Sequence, residues 1–335
     1  MELRTQGIFW AGGEVVDRIL PDMTADKILR NQIYVEYFIP NNLTKNAVPI
    51  ILAHNLLSGV VWRTTPDGRE GWAEYFVRRG YPVFVVDPPG TGRAGFDIDD
   101  INLAATGKNP PVSSDPLWRS SSSAWTRWSI GPEFGKVPDG GQFPTDDLSM
   151  RHYLAALLPG RSVSNEVADA AFIAATEKVN QMVGPAVFIG WSLAAGTGQR
   201  MAVARPDLFR ALVLLEGGAG LPAGVKKPPG WYDTCHLNSP NPPTDIVDTL
   251  VSKKLPLLSV NGQANHSENA GHSKEVGQIL VDLVNAAGGN ATNIFLPDQG
   301  ITGNSHMFFW ENNSDQIAGI VANWVESVVT IDSER

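Results

Sequence analysis

The chain has 335 residues, of which 43% are hydrophobic and 18% charged, with a formal net charge of -9. That length and apolar content can bury a substantial core, which excludes a disordered or fibrous class. The acidic balance and the lack of clustered Lys and Arg argue against a nucleic-acid partner, because phosphate recognition needs concentrated positive charge.

The N-terminal stretch MELRTQGIFWAGGEVV lacks the basic start and apolar core of a secretory signal. No run approaches the about 20 apolar residues of a membrane span, so a cytoplasmic protein with no membrane partner is expected. Asn-X-Ser/Thr sequons at Asn42, Asn265, Asn290 and Asn312 are then expected to stay unmodified. The lone cysteine, Cys235, precludes an intrachain disulfide and reads as an inert small hydrophobe.

Residues 7–16 and 32–40 are β-rich and partly alternating, which suits two antiparallel strands opening a mixed sheet. Residues 49–53 read as a buried strand that ends in His54-Asn55-Leu56-Leu57-Ser58-Gly59. Helical spacing of Trp72, Tyr75 and Phe76 predicts a helix over 70–79, stopped by Gly80. The next strand, 81–86, runs into Asp87-Pro88-Pro89-Gly90-Thr91-Gly92. Strand, loop, helix, strand is the order that a doubly wound sheet requires.

Residues 97–165 break this rhythm with Pro110-Pro111, serines at 120–123, and Trp118, Trp125 and Trp128 close together. An irregular stretch of that length inside a compact domain is most simply a cap or lid. Each tryptophan is expected to serve packing before lining a pocket. Residues 1–96 and 166–335 would then form the core, with 97–165 as the cap and a second irregular, proline-rich segment, 217–253, completing it. Beyond that segment, 255–260 and 291–296 read as strands, and 273–287 and 315–328 as helices.

The chain is organised around residues 184–220. Residues 186–189 make a short apolar strand, followed by Gly190-Trp191-Ser192-Leu193-Ala194 and further small residues at Ala195, Gly196 and Gly198. Such neighbours allow a serine to sit on a tight strand-to-helix turn that bulkier residues would obstruct. A helix starting just after Ser192 would aim its N–H groups and positive dipole end at an oxygen under attack, with Leu193 supplying one oxyanion donor. Residues 211–215 form the next strand, and Glu216 stands at its end, on the rim where open parallel sheets place their reactive groups.

The Gly190-Trp191-Ser192-Leu193-Ala194 turn resembles the nucleophile elbow of the α/β-hydrolase superfamily, with Ala194 where the usual pattern has a second glycine. Together with Glu216, the stretch TTPDGREGWAEYFVRRGY at 64–81, and Gly303-Asn304-Ser305-His306-Met307, it is similar to divergent bacterial carboxylesterases whose acid follows the sixth strand. The resemblance implies an α/β fold with a mostly parallel sheet, Ser192 as nucleophile, His306 as base and Glu216 as the orienting acid. Glu268 is the reserve acid. It also implies an acyl-serine intermediate, no metal and no organic cofactor, and a small ester or lactone as substrate. The family commonly has His-Gly where this chain has His54-Asn55, so the second oxyanion donor is expected from Asn55 or Leu56.

Two other patterns are discounted. Gly90-Thr91-Gly92-Arg93-Ala94-Gly95 matches a dinucleotide fingerprint, but an acidic stretch rather than an apolar helix follows it. His266, Glu268 and His272 lack the spacing of metal ligands and read as a solvated loop. Two rival functions stay open: a non-hydrolytic enzyme of the same fold, namely a lyase, cyclase or acyl transferase, and a non-catalytic small-molecule receptor. Oligomeric state is also open, a homodimer included.

Overall fold

A computed structural model of the chain describes residues 2–19, 24–54, 57–99, 101, 104, 107, 119–217, 245–263 and 274–330. Among these, eight strands form one sheet in the order β1-β2-β4-β3-β5-β6-β7-β8. β1 (Leu3–Ile19) and β2 (Ala25–Pro40) are antiparallel to each other, and β2 is antiparallel to β4 (Val83–Asp87). From there on β3 (Ile50–Ala53), β5 (Ala186–Trp191), β6 (Phe209–Leu215), β7 (Leu257–Asn261) and β8 (Ala291–Phe295) pair in parallel.

The helices are α1 (Trp72–Arg78), α2 (Ser121–Arg127), α3 (Asp147–Ala156), α4 (Asn165–Val183), α5 (Leu193–Ala204), α6 (Ile246–Ser252), α7 (Lys274–Ala286) and α8 (Ser314–Thr330). They cover both sheet faces, which is why β3, β4, β5 and β7 are buried at every residue and read as unbroken apolar runs. Alternate strand residues point to opposite faces. Ile50, Leu52, Val187, Ile189 and Val213 therefore meet α1 and α8 on one side, while Ile51, Phe188, Leu212 and Leu214 meet α4, α5, α6 and α7 on the other.

Both opening strands are longer than the sequence suggests. β2 pairs with β4 only over residues 34–38, so its other half runs on with β1 as a two-stranded ribbon. Charges at Glu14, Asp17, Lys27 and Arg30 give that ribbon the look of a polar loop, yet they pair across its strands. Residues 246–252, inside a stretch expected to be irregular, form α6 and bury Ile246 and Leu250 in the second apolar cluster. Their apolar i, i+4 spacing is short and lies beside a proline-rich run, which hides it.

The insert packs through its aromatics. Trp125 is fully buried, with the rings of Phe134, Phe143 and Tyr153 edge-on at 5.5, 5.2 and 5.3 Å. Trp128 is buried against Trp191, with ring centroids 6.0 Å apart, so both residues pack as expected. Trp118 and Cys235 lie outside the described residues. No helix among the described residues is long and apolar enough to cross a membrane.

Candidate active site

β5 ends at Trp191 in register with Leu215 of β6, so the residues that follow, Ser192 and Glu216, emerge side by side at the same rim. Ser192 has φ 56° and ψ −122°, a conformation that L-residues avoid and that lifts the side chain off the strand axis. Its N–H donates to the Leu215 carbonyl at 2.9 Å and its carbonyl accepts the Ala195 N–H at 3.0 Å. A side chain at Gly190 would bring its Cβ 2.7 Å from the Ala194 carbonyl oxygen, so the turn closes only around glycine there. Ala194 itself is fully buried and fits where a second glycine is usual.

Glu216 also takes a positive φ, 47°, and is 3% exposed. Its N–H donates to the Val260 carbonyl at 2.9 Å and its Oε1 accepts the Gly262 N–H. Its Oε2 lies 3.2 Å from His306 Nδ1. The loop ending β8 thus returns His306 to the rim, joining two residues 90 positions apart.

Three contacts fix His306. Its N–H donates to the Trp128 carbonyl at 3.0 Å, and its own carbonyl accepts the Trp191 indole N–H at 2.8 Å. The Trp191 ring lies 5.1 Å from the imidazole. Burial pushes the imidazole pKa down to about 3, and the nearby Arg127 and Arg119 charges push the same way. A neutral ring facing a carboxylate at Nδ1 carries its proton there, which leaves Nε2 as the basic nitrogen.

Sequence reading missed a further carboxylate. Glu311 is fully buried behind the histidine loop, accepting the Ser305 N–H at 2.9 Å and the Asn304 side-chain N–H at 2.6 Å. Burial pushes its pKa up to about 7, assisted by Glu216 and opposed by those hydrogen bonds. The only local signal is a charged residue ending the aromatic run Phe308-Phe309-Trp310.

His54 is wholly buried, with Nε2 2.9 Å from Asp87 Oδ1. Burial alone would raise the Asp87 pKa, but His54 and Arg93 together hold it well below the usual carboxylate range. The glycine-rich stretch at 90–95 forms a tight turn in which the Arg93 backbone N–H and Nε both donate to Asp87. Asn55, Leu56, His266, Glu268 and His272 lie outside the described residues. A cavity of about 270 Å³ sits against the β1–β2 ribbon; neither Ser192, Glu216 nor His306 lines it, and its Arg18 pairs with Asp99 at 2.6 Å.

A parallel sheet in this strand order, with a strained serine at the end of β5 and a Glu–His pair beside it, defines an α/β-hydrolase. No protein-family model matches the chain. It is 30% identical over 327 residues to the "Probable secreted lipase phiG" of a fungal species (strain ATCC 74256), covering 88% of this chain and 85% of that one. Among solved structures it is similar to "a novel bacterial esterase", at 28% identity and TM-score 0.81, over 98% of this chain and 96% of the other. This chain belongs to the α/β-hydrolase superfamily and groups with its esterases and lipases.

Proposed function

We propose that the protein cleaves carboxylic esters or lactones through an acyl-serine intermediate, with Ser192 as nucleophile, His306 as base and Glu216 as the acid that orients it. The contact between Glu216 Oε2 and His306 Nδ1, beside the strained Ser192, carries this reading. In the proposed mechanism His306 Nε2 takes the Ser192 proton as the oxygen adds to the carbonyl carbon. The Leu193 N–H, at the start of α5, and an N–H from Asn55 or Leu56 stabilise the oxyanion. Losing one such donor typically costs about 3 kcal/mol.

Collapse of the tetrahedral intermediate expels the alcohol, which receives its proton from the imidazolium. Water then attacks the acyl-serine by the same proton route. Glu216 holds the working tautomer and offsets the positive charge that develops on a buried ring.

The test is an active-serine fluorophosphonate probe followed by a p-nitrophenyl ester assay. Wild type should be labelled and turn over ester with release of free acid. Ser192→Ala should lose both, and Glu216→Gln should keep its fold while kcat falls on the order of 10²–10⁴-fold. A folded wild type that neither reacts with the probe nor hydrolyses any ester would contradict the proposal.

A further inference from the structure

His306 is held on one side by the insert and by β5, through the Trp128 carbonyl and the Trp191 indole. The two residues before it are held separately. Glu311 Oε1 accepts the Ser305 N–H at 2.9 Å, and Oε2 accepts the Asn304 side-chain N–H at 2.6 Å. That side chain also exchanges two hydrogen bonds with Asn313, at 2.7 and 3.0 Å. Glu311 is itself anchored through its backbone, because the Arg69 guanidinium donates to its carbonyl at 3.0 Å.

The segment gripped in this way lies against the support of Glu216. A Cβ added at Gly262, whose N–H donates to Glu216, would lie 3.1 and 3.2 Å from the Asn304 and Ser305 carbonyl oxygens and 3.1 Å from Glu216 Oε1. Drift of residues 304–305 therefore changes the offset between His306 Nδ1 and Glu216 Oε2, which is 3.2 Å.

Stability alone does not account for a carboxylate at this place. Glu311 is 0% exposed and ends the aromatic run Phe308-Phe309-Trp310, and among the described residues its side chain is met by amide groups rather than by Lys or Arg. A carboxylate buried without a cation is costly, and an apolar residue of similar volume would remove that cost. What an apolar residue cannot do is accept hydrogen bonds from the histidine loop.

Resting on the esterase reading of Ser192, His306 and Glu216, we propose that Glu311 is a positioning residue for the reaction: its carboxylate clamps residues 304–305 and so keeps the His306 imidazole on Glu216. Glu311→Met keeps the volume but leaves the Ser305 N–H without its acceptor and deprives the Asn304 side chain of one partner. Glu311→Gln restores both contacts. Its oxygen accepts the Ser305 N–H, and when Asn304 and Asn313 turn their amides over together, Asn304 Oδ1 accepts from the new amide while the two asparagines stay paired.

The test measures kcat and KM for p-nitrophenyl butanoate, per folded molecule and well below the Tm of each variant. In Glu311→Met, kcat should fall about 10- to 100-fold at nearly unchanged KM, because small misplacement of a reacting group costs that much. Glu311→Gln should recover most of the loss. If Glu311→Met does not fold, Asn304→Ala, which removes one of the two contacts, should show a smaller fall of about 3- to 10-fold.

Amide hydrogen exchange at residues 304–307 needs no turnover; it should be at least about 10-fold faster in Glu311→Met than in wild type and return towards the wild-type rate in Glu311→Gln. A lowered Tm with kcat per folded molecule unchanged would make Glu311 a structural residue only and overturn the proposal. A loss of kcat that Glu311→Gln does not repair would overturn it too, since charge rather than the clamp would then be at work. If wild type hydrolyses no ester, the esterase reading falls, and exchange decides the clamp by itself: faster exchange in Glu311→Met upholds it and unchanged exchange removes it.

Discussion

At the scale of single residues, the two buried groups beside the site titrate in opposite senses. The folded His306 pKa is depressed from 6.5 to about 3, so between these values the unfolded chain binds a proton that the native protein does not, and stability falls as pH falls. Glu311 is raised from 4.5 to about 7, so the native protein holds the extra proton and stability falls as pH rises through that window. The two slopes offset each other between 4.5 and 6.5. In Glu311→Gln only the histidine slope remains, so thermal melts at stepped pH should show its Tm, relative to wild type, rising from pH 5 to pH 8. A constant difference across that range would show that Glu311 is ionised throughout.

The meeting of Glu216 with His306 was legible because one stands at the end of β6 and the other on the loop after β8, at the rim where a parallel sheet places its chemistry. Glu311 was not. Its partners are the Ser305 amide and the Asn304 side chain, and nothing in the local sequence distinguishes a buried carboxylate from one at the surface. The same holds for the Trp128 carbonyl, which holds His306 through a backbone atom that every residue possesses.

At the scale of elements, the elbow depends on a close approach between β5 and α5. The Cβ of an alanine at residue 190 would lie 2.7 to 2.9 Å from the carbonyl of Ala194 and the amide of Ala195, and neither backbone group can swing aside. Gly190→Ala should therefore destabilise the protein by about 1–3 kcal/mol in denaturant melts. Fluorophosphonate labelling should slow as well, because relief of the clash must move Ser192. Unchanged stability would mean the turn relaxes more freely than its hydrogen bonds suggest. The need for small residues around Ser192 was readable from sequence, as were α1, α7 and α8, and the parallel strands were readable because burial on both faces writes continuous apolar runs. The ribbon half of β1 and β2 was obscured by ion pairs such as Arg30 with Glu14, at 2.8 Å, which stabilise a strand pair while resembling loop composition.

On the scale of the whole molecule, the insert is coupled to the site rather than merely laid over it. Trp125 anchors an aromatic group that positions α2, and the end of α2 holds the backbone of His306. Trp125→Ala removes a fully buried indole and should cost about 3–5 kcal/mol. It should also lower kcat in the fraction that stays folded, measured by active-site titration below the melting transition. If kcat per labelled site is unchanged, His306 keeps its position without the insert. Sequence alone led to the expectation of an insert over 97–165 with tryptophans that pack, but it could not reveal this coupling, which arises from contacts between residues distant in the chain.

Ser192 and Glu216 each occupy a left-handed backbone conformation that glycine would adopt more easily. The proposed mechanism therefore requires side chains at the two places where the polypeptide would be most comfortable without them. Heat resistance and reactivity pull against each other at these sites. A lineage selected for durability alone would be expected to lose its chemistry there first, leaving a sturdier but inert descendant.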